Sequence, residues 1–244
     1  MQKAEQRNLT YYPVVAQILL IDDNEVDGRM LQEFLEAEGH AVRREVNGQA
    51  GLKALWEARP DLVLLDVVMP EMDGWTTCSR MREVSSTPII MLTSLNREDE
   101  IIKGLELGAD DFVSKPASPK QLAARIAAVL RRTHEAAHTS EENGVIYDDG
   151  QLTIDVDSHE VRLGGTQVDL SPTEFKLLVV LAGAPGRMHG YAALLRQVWG
   201  PEYVDELDFL RVYVSRLRRK LEADPNDPKR IMTERGFGYR FARP

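Results

Sequence analysis

The chain has little that would cross-link it or hold it in a membrane. Its single cysteine, Cys78, excludes an internal disulfide and suits a reducing cytosol. No apolar stretch approaches the ~20 residues of a transmembrane helix, and residues 1–16 lack the apolar core of a signal peptide. The sequence therefore predicts a cytoplasmic protein without a membrane partner.

Positive charge is also scarce over the chain as a whole. The formal net charge of −9 argues against indiscriminate binding to nucleic acid. The distribution is uneven, however, because the segment from Phe209 to the end carries ten basic and four acidic residues. This local excess predicts a surface that binds phosphates.

Length and composition predict two domains. With 244 residues, 43% of them hydrophobic, the chain can build two ordinary cores. Residues 133–144 show no apolar periodicity and are typical of a linker. We therefore divide the chain into an N-terminal extension of unassigned role (1–16), a first domain (17–132), the linker, and a second domain (145–244).

The first domain has the pattern of an α/β fold with a doubly wound parallel sheet. Short runs rich in Ile, Val and Leu alternate with helix-length segments, which is typical of buried parallel strands. Polar residues follow four of these runs, at the carboxyl ends where such sheets bind ligands: Asp22, Asp23, Asp66, Thr93 and Lys115.

Three carboxylates at one edge of a sheet repel one another unless a cation lies between them. A hard divalent ion, Mg²⁺ or Mn²⁺, suits oxygen ligands and would neutralise an incoming phosphoryl group. A hydroxyl and an ammonium are then available for the remaining phosphoryl oxygens. The pattern predicts a phosphorylation site with Asp66 as the nucleophile, although an isolated Asp-Asp pair is more often a solvated turn.

These motifs resemble the receiver domain of two-component response regulators, a five-stranded flavodoxin-like fold. They are Ile21-Asp22-Asp23, Asp66 with Met69-Pro70-Glu71-Met72-Asp73-Gly74, Thr93-Ser94 and Lys115-Pro116. The resemblance implies that a sensor histidine kinase phosphorylates Asp66. It also implies that the metal is bound directly by Asp23, Asp66 and the Val68 carbonyl, and by Asp22 through water. Phosphoryl oxygens would be bound by Thr93 and Lys115. Phe112 would be the aromatic residue of the switch, at a position where Tyr is commoner in the family.

The second domain begins with alternating apolar residues, which predicts a small antiparallel sheet, and continues with helices and a closing strand pair. In the last helix one apolar stripe consists of Leu210, Tyr213, Val214, Leu217 and Leu221. The opposite face carries Arg211, Val212, Ser215, Arg216, Arg218 and Arg219. Such a helix can pack its apolar side in a core and place its basic side in a major groove. A solvated charged helix is the alternative.

This domain resembles the winged-helix effector of the OmpR/PhoB subfamily. The motifs are Ser171-Pro172-Thr173-Glu174-Phe175, the segment 194–200, Ser215-Arg216-Leu217-Arg218-Arg219-Lys220-Leu221 and the segment 233–240. The resemblance implies that residues 212–221 form the recognition helix for promoter DNA, that Arg235 enters a minor groove, and that residues 200–207 meet RNA polymerase. Residues 208–213 are more similar to the branch that contains KdpE.

The resemblance also implies a homodimer through the fourth helix, fifth strand and fifth helix of the receiver. Asp110, Asp111 and Arg125 are the candidates for ion pairs between subunits. Ile101 and Gln121 stand where charged partners often occur, so we expect a dimer that is weaker or less dependent on the switch than usual.

Three functions are compatible with the sequence. The leading one is a transcription factor controlled by phosphorylation. A DNA-binding regulator that is independent of phosphorylation and uses the receiver only to dimerise is the second. An enzyme acting on phosphorylated small molecules is the third, but no substrate-pocket motif supports it, so we expect at most slow autodephosphorylation. The sequence does not identify the kinase, the signal or the operator.

Overall fold

The first domain is a parallel sheet covered by helices on both faces. In the computed structural model, residues 15–94, 98–116, 118–138 and 144–244 are described, with only the backbone for residues 98 and 134–138. Most of the predicted extension and residues 139–143 of the predicted linker lie outside the described residues. The elements run β1 (Gln17–Ile21), α1 (Glu25–Ala37), β2 (Ala41–Glu45), α2 (Gly48–Ala58), β3 (Leu62–Asp66), α3 (Gly74–Arg82), β4 (Ile89–Thr93), α4 (Glu98–Leu107), β5 (Asp111–Ser114) and α5 (Pro119–His138).

The strand order β2-β1-β3-β4-β5, with all pairs parallel, confirms the predicted doubly wound five-stranded sheet. Buried aliphatic residues form one cluster on each face of the sheet. Helix α5 continues to His138, past the boundary predicted at Arg132. The alanines at its end favour helix more than the polar composition of this segment suggested.

The second domain is α+β, with small antiparallel sheets around three helices. It consists of β6 (Val145–Asp148), β7 (Leu152–Asp155), β8 (Glu160–Leu163), β9 (Thr166–Gln167), α6 (Pro172–Ala182), β10 (Met188–Gly190), α7 (Tyr191–Val198), a 3-10 turn (Pro201–Tyr203), α8 (Leu207–Leu221), β11 (Ile231–Glu234) and β12 (Gly238–Phe241). A capping box begins α6, since Ser171 and Glu174 each accept a hydrogen bond from the other's backbone N–H.

The two domains share a hydrophobic core. The cluster that fills the second domain also contains Leu105 of α4 and Ala128 of α5, and Phe112 of β5 packs against it. Helix α8 lies against α4, and α6 lies against α5. The α4-β5-α5 face of the first domain is therefore covered by the second domain, an arrangement that we call closed.

No helix among the described residues has the length and apolar content needed to cross a membrane.

Candidate functional sites

The three predicted carboxylates meet at the carboxyl edge of the parallel sheet. Asp22 and Asp23 follow β1, and Asp66 ends β3, the neighbouring strand. One oxygen of each lies within 4.8 Å of the others, with Asp22 and Asp66 buried and Asp23 exposed. The sheet register therefore brings these residues together, and we call them the acidic cluster.

Lys115 neutralises part of this negative charge. Its Nζ donates hydrogen bonds to Oδ2 of Asp22 at 2.7 Å and to Oδ2 of Asp66 at 2.6 Å. Burial alone would lower the pKa of Lys115, but the two carboxylates outweigh burial and raise it. Burial raises the pKa of Asp66, and the Lys115 ammonium opposes this shift. Lys115 is thus held within the acidic cluster.

The acidic cluster fits a small divalent cation. The donor set is composed of carboxylate oxygens, which suits Mg²⁺. The backbone N–H of Val68 donates to Oδ1 of Asp66 at 3.3 Å, so Val68 lies beside the Asp66 carboxylate.

The remaining predicted features of the receiver site surround the same edge. Thr93 ends β4, which pairs with β3, and is almost fully buried. The Lys115–Pro116 peptide bond is cis, as expected. A Cβ at Gly74 would lie 2.1 Å from the Asp66 carbonyl oxygen, which explains why glycine occupies this position.

Strand β5 joins this site to the second domain. Phe112, the predicted switch aromatic, packs against the receiver core and also faces Phe209 of α8, with ring centroids 6.2 Å apart. Phe112 lies only three residues before Lys115 on the chain, so a short segment connects the acidic cluster to the contact with α8.

A buried polar network beside Phe112 connects the two domains. The Tyr203 hydroxyl donates to Oδ2 of Asp111, and the guanidinium of Arg125 lies over the Tyr203 ring, 4.2 Å from its centroid. Arg125 also contacts Asp111 at 3.3 Å and Glu206 at 3.9 Å. Burial raises the pKa of Asp111, and burial together with the Asp111 carboxylate raises the pKa of Tyr203. Two residues predicted for a dimer interface therefore make contacts within one chain.

A second polar network joins α8 to the end of α4. Asp110 is fully buried and accepts hydrogen bonds from Arg82 at 2.5 Å and from the Tyr213 hydroxyl at 3.2 Å. Arg216 donates to the carbonyl of Ala109 at 3.0 Å. Tyr213 lies in the core of its own domain, as predicted, but its contact with the receiver and that of Tyr203 were not predicted, because their partners lie far away in the chain.

The predicted DNA-binding residues differ in accessibility. Arg211, Arg219 and Arg235 are exposed, and Ser215 and Arg218 are half-buried. Arg218 also donates to the Ile231 carbonyl and to Thr233 in its own domain. Val212 and Arg216 are both buried, and Arg216 donates to the receiver carbonyl of Ala109, so the closed arrangement covers part of the predicted DNA-reading face.

Comparison with known proteins identifies both domains. Residues 18–127 match the response regulator receiver domain, and residues 165–241 match the C-terminal domain of transcriptional regulatory proteins. These two matches cover most of the chain.

Relatives and solved structures show the same combination. The chain is 42% identical to the probable transcriptional regulator ycf27 of Porphyridium aerugineum over 229 residues, covering 93% of this chain and 95% of that protein. It is 40% identical over 227 residues to the DNA-binding response regulator MtrA of Mycolicibacterium smegmatis, covering 93% and 97%. A structure of a RitR mutant superposes with a TM-score of 0.77 at 26% identity, covering 93% and 99%. The predicted KdpE-like branch stays a prediction. The chain belongs to the response regulators of the OmpR/PhoB type, with a receiver domain followed by a DNA-binding domain.

Proposed function

We propose that a sensor histidine kinase phosphorylates Asp66 and that this modification releases the DNA-binding domain from the receiver. The observation that carries the proposal is the position of β5. Its end leads to Lys115, which bonds Asp66, while its beginning supplies Asp111 and Phe112 to the interdomain contact. Strand β5 and the Lys115 that follows it therefore connect Asp66 to the DNA-binding domain.

The chemistry follows from the residues around Asp66. One carboxylate oxygen attacks phosphorus, a P–O bond forms, and the P–N bond to the kinase histidine breaks. Asp23, Asp66 and the Val68 carbonyl would bind Mg²⁺ or Mn²⁺ directly and Asp22 through water, and the cation would offset the negative charge of the phosphoryl group. Lys115 would exchange its bond to Asp66 for a phosphoryl oxygen, and the Thr93 hydroxyl would bind another.

Release would expose the DNA-reading face. The duplex would then be contacted by Arg211, Ser215, Arg218 and Arg219, by Val212, and by Arg216, whose guanidinium is now bonded to the receiver. Arg235, at the exposed tip of the β11–β12 hairpin, would reach a minor groove. We expect binding to promoter DNA that is weak in the closed arrangement and strong after release.

Release would also free the surface predicted for dimerisation. Asp110, Asp111 and Arg125 are engaged inside one chain, so a dimer that uses them requires the open arrangement. The same opening would uncover Tyr203 in the segment 200–207 that is proposed to meet RNA polymerase. Two effectors of such a dimer would read direct repeats about one helical turn apart.

The phosphorylation step is tested by mass spectrometry. Purified protein is incubated with acetyl phosphate, with and without Mg²⁺, beside an Asp66→Asn variant. We expect one phosphoryl group per chain, dependent on the metal and absent in the variant. An equal adduct on Asp66→Asn would place the modification elsewhere, and no adduct from acetyl phosphate or from a range of histidine kinases would contradict the proposal.

A regulator that is independent of phosphorylation is the alternative. It would use the receiver only to dimerise, and Asp66→Asn would then bind DNA as the unaltered protein does, with or without a phosphoryl donor. The closed arrangement weighs against it, because the surface predicted to dimerise is already occupied. In either case we infer a cytoplasmic protein that is not a metabolic enzyme; it accepts a phosphoryl group on Asp66 in the leading reading and has at most slow autodephosphorylation.

A further inference from the structure

Tyr213 and Arg216 form a stacked pair on α8. They lie three residues apart, about one helical turn, and the Arg216 guanidinium is 4.7 Å from the Tyr213 ring centroid. The Tyr213 ring also packs in its own domain, where it meets the Trp199 ring edge-on with centroids 5.1 Å apart. Stacking and packing fix the directions in which the hydroxyl and the guanidinium point.

Both donors converge on one oxygen of the receiver. Arg216 Nη2 lies 3.0 Å from the Ala109 carbonyl oxygen, and the Tyr213 hydroxyl lies 3.4 Å from the same atom. The hydroxyl also lies 3.2 Å from Oδ1 of Asp110. Within the described parts of the chain, every acceptor recorded for this hydroxyl belongs to the receiver.

The receiver satisfies the Tyr213 hydroxyl poorly. Distances of 3.2–3.4 Å exceed the roughly 2.5–3.0 Å typical of hydroxyl hydrogen bonds. A ligand that offered an oxygen at normal distance would bind this donor better than the receiver does. When the domains separate, the Tyr213 hydroxyl and Nη2 of Arg216 lose their receiver acceptors, while Nη1 of Arg216 keeps its contact with Glu174 at 3.9 Å in the same domain.

We propose that Tyr213 is a DNA-contacting residue, which together with Arg216 binds one acceptor oxygen of duplex DNA. The Ala109 carbonyl takes the place of that oxygen in the closed arrangement. Phosphate oxygens and the O6 atom of guanine are acceptors of this kind. The inference rests on the proposed function, because it requires α8 to meet DNA, and it makes closure and DNA binding compete for the same two donors.

The test measures DNA affinity in a background that is already open. Arg125→Glu places a carboxylate next to Asp111 and Glu206 and should separate the domains by charge repulsion. The probe is one half-site of a duplex selected from a random pool by the full-length protein, so that binding does not require a dimer. Tyr203→Phe provides a second, milder opened background.

In either opened background, adding Tyr213→Phe should weaken half-site binding roughly three- to tenfold, the loss expected for one hydrogen bond. Tyr147→Phe is the matched control, since it removes a hydroxyl of the same domain that lies 3.5 Å from Asp149 and away from α8. A loss at Tyr213→Phe no larger than that of the control in both backgrounds would overturn the inference.

A second selection with Tyr213→Phe in the opened background identifies the source of the oxygen. Relaxed preference at one base pair assigns it to a base, whereas a uniform loss over all sequences assigns it to a phosphate. Arg219→Ala, on the exposed part of the same helix, separates this inference from the proposed function. A loss at Arg219→Ala without one at Tyr213→Phe overturns only the role of Tyr213, and no loss at either overturns α8 as the DNA-reading helix.

Discussion

The Tyr203 hydroxyl is the contact whose removal tests closure most cleanly. Tyr203→Phe keeps the ring beneath Arg125, 4.2 Å from the guanidinium, and deletes only the bond to the Asp111 carboxylate. A hydrogen bond to a charged group contributes about 1.5–3 kcal/mol. We therefore expect the ratio of closed to open molecules to fall roughly 10- to 150-fold, since each 1.4 kcal/mol is about a factor of ten.

The readout is the affinity of unphosphorylated protein for a half-site oligonucleotide. Apparent affinity is reduced by the fraction of molecules that are binding-competent, so it should rise by the same factor until the open form dominates. Amide hydrogen exchange in α8 should accelerate in parallel. Tyr147→Phe, whose hydroxyl lies near Asp149 in the β6–β9 sheet, should change neither quantity. Unchanged affinity and unchanged exchange in Tyr203→Phe would refute the reasoning that this contact holds the domains closed.

Three further predictions concern the phosphorylation site and the pH dependence of closure. Lys115→Met removes a cation from the acidic cluster, so calorimetry should show Mg²⁺ binding tighter by about 1 kcal/mol, while phosphorylation by acetyl phosphate becomes slower. Gly74→Ala should lower the free energy of unfolding in urea by about 3 kcal/mol, because its Cβ meets backbone, whereas Gly28→Ala, whose Cβ meets a flexible side chain, should change it by less than about 1 kcal/mol. Burial raises the pKa of Asp111 and of Glu206, so the closed form binds protons more tightly than the open form. Lowering the pH from about 7 should therefore favour the closed form, and raising the pH through these pKa values should remove this contribution to the free energy of closure. An interdomain cross-linking yield that stays constant over this range would contradict the role given to Asp111 and Glu206.

The phosphorylation site was accessible to sequence reasoning because its residues sit at strand ends. Each apolar run predicts a strand, and parallel strands have their carboxyl ends at one edge of the sheet. Residues at those ends are therefore expected to meet, as Asp22, Asp66 and Lys115 do. The predicted roles of Thr93 and Val68 depend on a bound phosphoryl group and metal, and they stay predictions.

The interdomain contact was not accessible in the same way. Asp111 meets Tyr203, and Ala109 meets Arg216, across about a hundred residues of chain, and no local pattern encodes either pair. The contact of Tyr213 with the receiver was not predicted for a related reason, because a ring at an apolar position of a helix predicts burial, which the structure confirms, but does not show where its hydroxyl points. The extension of α5 to His138 was missed because the composition of the segment indicated a linker.

The central claim is that phosphorylation of Asp66 exposes the DNA-reading helix. The measurement that tests it most directly is half-site affinity before and after treatment with acetyl phosphate and Mg²⁺, for the unaltered protein and for Asp66→Asn. We predict a rise of at least about tenfold in the unaltered protein and no change in the variant. Equal affinity before and after verified phosphorylation, or an equal rise in Asp66→Asn, would contradict the account.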